Sequence, residues 1–191
     1  MIKAAHFSES ASLEEADLRT TRGLDKTHMA SRATCDWIRR QLNVAIIGPT
    51  GIGKTWLGCA FGNQACRQSL PTRFWRTSDL VEEIVTAEVD GSLKNLKASL
   101  VKPALLILDD LGIGDVSALA SRVFFDVIER RMRLGSLLIT SQHPMEKWHT
   151  FFPDPTVADA LMDCIVHRSH KLLLKGESMR RTQARKDMGG E

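Results

Sequence analysis

The chain has 191 residues, of which 43% are hydrophobic and 26% charged, with a formal net charge of +3. Those values fit one soluble globular domain with room for a full hydrophobic core, and the net charge is too small to name a partner. No apolar run approaches the ~18 residues of a membrane span, and the opening MIKAAHFSES lacks the apolar core of a signal peptide. Cys35, Cys59, Cys66 and Cys164 are scattered without a CxxC pair, which points to reduced thiols in a cytoplasmic protein rather than to metal or disulfides.

Residues 1 to about 30 are polar and weakly patterned, and predict a partly extended arm laid on the core. NVAIIG (43–48) is a short apolar run, partly β-branched, that stops at glycine, so it predicts a buried strand. GKTWLGCAFGNQACRQS follows as a helix with Leu57, Ala60, Phe61 and Ala65 on one face. TRFWR (72–76) reads as a short strand. Ser78 then caps a helix with Asp79 in its first turn and Leu80, Val81, Ile84 and Val85 facing inward. Leu93, Leu96 and Leu100 predict another helix, halted before Pro103. ALLIL (104–108) is a buried strand, Ser121 to Arg133 a helix with Phe124, Val127 and Ile128 on its apolar side, and SLLITS (136–141) a further buried strand. Asp154-Pro155 opens a helix that runs to about Val166, and HKLLLK (170–175) is the last strand. Strands alternating with helices, with nearly continuous apolar runs in the strands, predict an α/β fold whose central parallel sheet is flanked by helices on both faces. Such sheets bind ligands at the carboxyl ends of their strands.

The strongest motif is GPTGIGKT, Gly48 to Thr55, which fits the phosphate-binding loop G-x-x-x-x-G-K-[ST] and sits where one belongs, between a strand and a helix. Glycines let successive N–H groups curl around phosphate oxygens, and the helix N-terminus adds its positive dipole end. Lys54 would reach the β- and γ-phosphates and the Thr55 hydroxyl a Mg²⁺ ion. The run LLILDDLG (105–112) ends in paired acids, which repel each other and resist burial unless something offsets them. A metal ion held by Thr55 and Asp109 does so. Asp110 is then left to polarise the water that attacks the γ-phosphate, although it could instead be a spare charge that tunes the site. Most ATPases of this kind place Glu there, and Asp is one methylene shorter. LLITSQ ends in polar residues at the same edge. Gln142 is the best candidate to contact the γ-phosphate and orient the water, with a plain strand-end polar residue as the alternative. From Arg168 to Lys186, the bases Arg168, Lys171, Lys175, Arg180, Arg181, Arg185 and Lys186 stand against the single acid Glu177, a basic end that suits phosphate backbones or is simply solvated.

The blocks GPTGIGKTWLGCAFGNQACRQ, LLILDDLG, LLITSQHPMEKWH, DPTVADALMD and GESMRR resemble the IstB/DnaC family of AAA+ ATPases, and are closer to the IstB transposition helpers than to the DnaC helicase loaders. The resemblance runs from about residue 3 to 181, in family order, and takes in RGLDK (22–26). It implies a P-loop NTPase with an AAA+ core of the ASCE type. The implied layout is an arm at 1–36, the ATP-binding domain at 37–178 and a basic tail at 179–191. It implies binding of ATP and Mg²⁺, homo-oligomers on duplex DNA with ATP sites between subunits, deformation of that DNA without strong sequence preference, and stimulation of a partner transposase. By residue it implies a Walker A cradle of Gly48, Pro49, Thr50, Gly51, Ile52, Gly53, Lys54 and Thr55 with Trp56 beside it. Asp109 and Asp110 become Walker B and Gln142 sensor 1. Two departures stand out. IstB-like proteins usually begin with a helical region that helps grip DNA, and this chain starts where the family is already entering the core. The family also usually reads Asp-Arg after DPT, where this chain has Asp163-Cys164. The arginine finger is therefore lost or replaced, with Arg168 the nearest substitute and Arg130, Arg131 and Arg133 weaker ones. A lost finger costs about 10³ or more in rate in related phosphoryl transfers, so slow hydrolysis with intact ATP binding is expected if nothing replaces it. A helicase loader and a nucleotide-gated scaffold with little turnover remain as alternatives. A small-molecule kinase is disfavoured by the absence of an Arg-rich lid segment.

Overall fold

The computed structural model describes residues 2–16, 23–24 and 26–179. The basic residues Arg180, Arg181, Arg185 and Lys186 lie outside the described residues, as do parts of the arm and of RGLDK. In chain order the elements are α1 (Ile2–Ala5), a 3-10 turn (Leu13–Glu15), α2 (Lys26–Ala33), α3 (Asp36–Arg39), β1 (Asn43–Ile47), α4 (Lys54–Arg67), β2 (Thr72–Arg76) and α5 (Thr77–Val89). There follow α6 (Leu93–Val101), β3 (Leu105–Leu111), α7 (Ala118–Arg131), β4 (Ser136–Ser141), a 3-10 stretch (Met145–Phe151), α8 (Pro155–Val166) and β5 (Ser169–Leu173).

The strands form one five-stranded sheet in the order β2-β3-β4-β1-β5, with every neighbouring pair parallel. Every residue of β1 and β4 is buried, which only a sheet covered on both faces can achieve. Alternation along the strands divides the core in two. Val44, Ile46, Leu105, Ile107 and Leu138 pack toward α4, where they meet Leu57, Phe61 and, from the arm side, Trp37 and Ile38. Ala45, Ile47, Leu106, Leu108, Leu137 and Ile139 pack on the opposite face against Leu80, Ile84, Leu100, Phe124, Val127 and Leu161 of α5 to α8. Fully burying each Leu, Ile or Phe is worth about 1.5–3 kcal/mol, so the two layers together can carry a few buried polar groups at the site.

Arg131 is a further buried polar group, at 1% exposure and away from the site. Its guanidinium donates to the carbonyls of Leu100 (2.8 Å), Val101 (3.0 Å), Pro103 (2.9 Å) and Ser136 (2.7 Å). It thereby satisfies the orphan carbonyls at the end of α6 and ties the entries of β3 and β4 together. That removes Arg131 from the candidate fingers, because the side chain is buried and both terminal nitrogens are engaged inside its own subunit. Arg130 is ion-paired with Asp126 one helical turn back, at 2.7 Å.

Several local expectations shift. The helix expected to start at Ser78 starts at Thr77, with Arg76 at the cap position and no side-chain cap, and the Ser78 hydroxyl donates to Asp79 instead. Val85, expected to face inward, is 46% exposed, because the buried stripe of α5 is Leu80, Ile84 and Ala87. The α7 helix begins at Ala118, one turn early, since Ser117 caps it by accepting from the Ala120 N–H. The described part of the arm combines short helical turns with extended stretches, and Phe7, Ala11 and Leu13 lay it on the α4-side core. As expected, Asp154 caps α8, accepting from the N–H groups of Thr156 and Val157, with Pro155 in the first turn. Among the described residues no helix is long and apolar enough to cross a membrane.

Candidate nucleotide-binding site

The strand order sets three ends side by side at the carboxyl edge. β4 lies between β1 and β3, so the glycine-rich loop after β1 and the acids of β3 flank the polar end of β4. Gly51 and Gly53 carry φ of +77° and +92°, a left-handed conformation that side-chain-bearing residues adopt only with strain. A Cβ added at Gly53 would meet nothing within 4 Å, so the space beyond its backbone is open. Ile52 points the other way, 1% exposed in the α4-side core, and pins the loop to the sheet.

Lys54 begins α4 and is only 5% exposed. Its Nζ donates to the Pro49 carbonyl at 3.1 Å, across the loop's own mouth. Burial pulls its pKa down, while the charges of Asp110 and Asp109 work against that. Thr55 Oγ1 donates to Asp109 Oδ2 at 2.9 Å, and Thr140 Oγ1 donates to Asp109 Oδ1 at 2.6 Å. Asp109 is fully buried. Burial raises its pKa and the neighbouring charge of Asp110 adds to the rise, whereas the Thr140 and Thr55 bonds and the Arg76 charge oppose it.

Two adjacent acids on a regular strand would point to opposite faces. A bulge prevents this. Leu108 pairs with Ile139 but Leu111 with Ser141, so β3 spends one residue more than β4 in that interval. Asp110 takes φ +57°, and its N–H donates to the Thr140 hydroxyl at 2.9 Å rather than to the ladder. Asp109 therefore turns toward Thr55 of α4, and Asp110 opens on the cavity beside it. The bulge is why a pair of acids can serve one site.

That cavity holds about 580 Å³. Thr50 to Leu57, Arg76, Asp110 and Gln142 line one part of it, and Leu24, Leu174 and Met179 another. Gln142 Oε1 accepts from Thr50 Oγ1 at 2.6 Å, so the end of β4 is latched to the glycine loop. After β5 the chain crosses over the loop, where the Met179 N–H donates to the Gly51 carbonyl at 2.7 Å. Arg168 is not brought to this site. It precedes β5, whose first residue pairs with Asn43 at the amino edge of the sheet, and its guanidinium donates to the Met132 carbonyl. Cys164 is buried in the α5–α8 core layer.

Three features of the site were not singled out in the sequence. Thr140 was legible only as part of a strand. Arg76 ends TRFWR, and the rule that the carboxyl ends of parallel strands share one edge could have found it. The crossing of residues 174–179 over the loop has no local signal.

A glycine loop closing β1, an acid pair ending β3 and a polar strand end between them define a P-loop NTPase domain. The chain belongs to the family of IstB-like ATP-binding proteins, whose family model matches residues 1–187. It is 38% identical to an insertion-sequence ATP-binding protein of Sinorhizobium fredii over 97% of this chain and 76% of that one. It is 40% identical to a second from the same organism, over 94% and 73%. The fold is shared with the crystal structure of DnaI, at a TM-score of 0.73 and 20% identity over 86% of this chain and 91% of that one.

Proposed function

We propose that this protein is a DNA-dependent ATPase that assists transposition. It binds MgATP at the β1–β4–β3 edge, assembles as a homo-oligomer on duplex DNA, and acts on a partner transposase. One observation carries the reading: Thr55 and Asp109 meet at 2.9 Å beside a cavity onto which Lys54, Asp110 and Gln142 also open. The donor set suits the ligands. The glycine loop leaves room for phosphate, and a hydroxyl paired with a buried carboxylate is a hard-oxygen set fit for Mg²⁺. The insertion-sequence setting of its relatives supports the transposition role.

In this reading Gly48 to Thr55 and Trp56 hold the nucleotide, Lys54 the β- and γ-phosphates, and Thr55 with Asp109 the metal. Mg²⁺ when bound neutralises charge developing on the phosphates. Asp110 accepts the proton of the attacking water, and Gln142, latched by Thr50, orients that water. Arg168, at the far edge of the sheet, serves a neighbouring subunit's site rather than its own. The working domain is residues 37–178, and the basic residues from 179 to 191 add affinity for DNA backbone. A scaffold with little turnover is the second reading, favoured by the short acid at Asp110 and by Cys164 where the family usually has arginine.

The test is sedimentation or electron microscopy on duplex DNA with and without ATP, alongside ATP turnover with and without DNA. ATP-dependent assembly with DNA-stimulated turnover is expected. Assembly without turnover selects the scaffold. Turnover indifferent to DNA, with no assembly, refutes the proposal.

A further inference from the structure

Arg76 is the last residue of β2 and pairs in register with Asp109. Phe74, two residues earlier, packs in the α4-side core, so alternation turns Arg76 to that same side. There the strand has ended, and the side chain stands exposed at the mouth of the cavity with Lys54, Asp110 and Gln142. Among the described residues it makes no ion pair or hydrogen bond with another side chain. Its charge is nevertheless felt by Asp109.

The order of strand ends gives this position a meaning. Along the edge come the segment after β5 with Leu174 and Met179, the glycine loop after β1, Gln142 after β4, the acids of β3, and then Arg76. The apolar end beside Leu24, Trp56, Leu174 and Met179 suits a base. A nucleotide with its base there and its phosphates on the loop runs its terminal phosphate toward β3 and β2. Among the described residues that line the cavity, Lys54 and Arg76 are the cations, against Asp110, Glu9 and Glu15, with Asp109 buried behind them. Without Arg76, Lys54 alone would offset those acids toward a polyphosphate that is itself negative.

Resting on the nucleotide reading above, we propose that Arg76 is a contact to the terminal phosphate of a nucleoside triphosphate, supplied by the same subunit that holds the rest of the site. Arg76 then lets the site tell triphosphate from diphosphate before any neighbouring subunit docks. A guanidinium is suited to this because its planar donors take phosphate oxygens in pairs.

The experiment titrates wild type, Arg76→Gln and Arg76→Lys with Mg²⁺ and either a slowly hydrolysed ATP analogue or ADP, followed by calorimetry, with thermal unfolding of each variant as the folding control. Arg76 is exposed, so the variants should fold. Arg76→Gln is expected to weaken the triphosphate analogue by about 10- to 100-fold and ADP by less than about 3-fold. Arg76→Lys should recover part of the loss. Equal weakening of both nucleotides, or of neither, overturns the assignment while leaving the nucleotide site standing. If the wild type binds neither nucleotide, the function proposed above has failed and this inference falls with it.

Discussion

Replacing Asp109 with Asn should make the empty protein more stable while weakening Mg²⁺-dependent nucleotide binding. The carboxylate is fully buried, and the net effect of its surroundings is to raise its pKa, with burial the leading cause. The folded protein therefore holds the proton more tightly than the unfolded chain does. For an acid the sign follows directly: stability is greatest at low pH, and falls as pH rises from the unfolded value near ~4 through the higher folded one. At neutral pH the ionised carboxylate is a net burden, one that a bound cation would relieve. Asn keeps the shape without the charge. Its oxygen can still accept from Thr140, and its amide can donate to the Thr55 oxygen, so neither hydroxyl is orphaned. Removing a buried charge while keeping its partners satisfied is worth about 1–2 kcal/mol, and each kcal/mol moves the Tm of a domain of this size by about 2–4 °C. The assay is thermal unfolding in chelator at several pH values, paired with nucleotide titration in Mg²⁺. Wild type should lose stability between acid and neutral pH more steeply than Asp109→Asn. A variant less stable than wild type at neutral pH would show that the Thr55 and Thr140 bonds and the Arg76 charge outweigh desolvation, and the charge-burden argument would be wrong.

Lys54→Ala should weaken ATP binding by about 100-fold or more, since the loop's N–H groups alone lack the point charge on the phosphates; unchanged affinity in a fluorescent-nucleotide titration would refute the site. Asp110→Asn should leave MgATP affinity within about 3-fold and lower turnover by about 10²–10⁴, as read by phosphate release; variants at 109 and 110 that behave alike would refute their division of labour. Arg131→Ala should destabilise the fold by about 3–5 kcal/mol, because four carbonyls, those of Leu100 and Ser136 buried and those of Val101 and Pro103 partly so, lose a charged donor. Chemical denaturation measures this, and a loss below about 1 kcal/mol would mean that water replaces the guanidinium there.

The Gly-rich loop, the apolar runs and the acid pair were legible in the sequence because each depends on neighbours a few residues away. A glycine loop between strand and helix is a local conformational requirement, and so is the capping of α8 by Asp154. Burial of whole strands was equally readable, since uninterrupted apolar runs such as AIIG and LLIL fit only a sheet covered on both faces. What the sequence could not show is how separate strand ends meet. That β4 lies between β1 and β3, bringing Gln142 to Thr50 and Thr140 to Asp109, is a matter of strand order. The bulge that turns Asp110 into the cavity depends on a register slip against β4, which no pattern within LLILDDLG contains. Arg131 stood among the weaker finger candidates until α6, β3 and β4 closed around it. Arg76 looked like the end of a strand until β2 paired with β3. Local chain chemistry depends on bonds and steric clashes within a turn or two, and the sequence carries those directly. Which charges face one another depends on long-range packing, where many weak contacts choose a single arrangement, and only the folded sheet decided that.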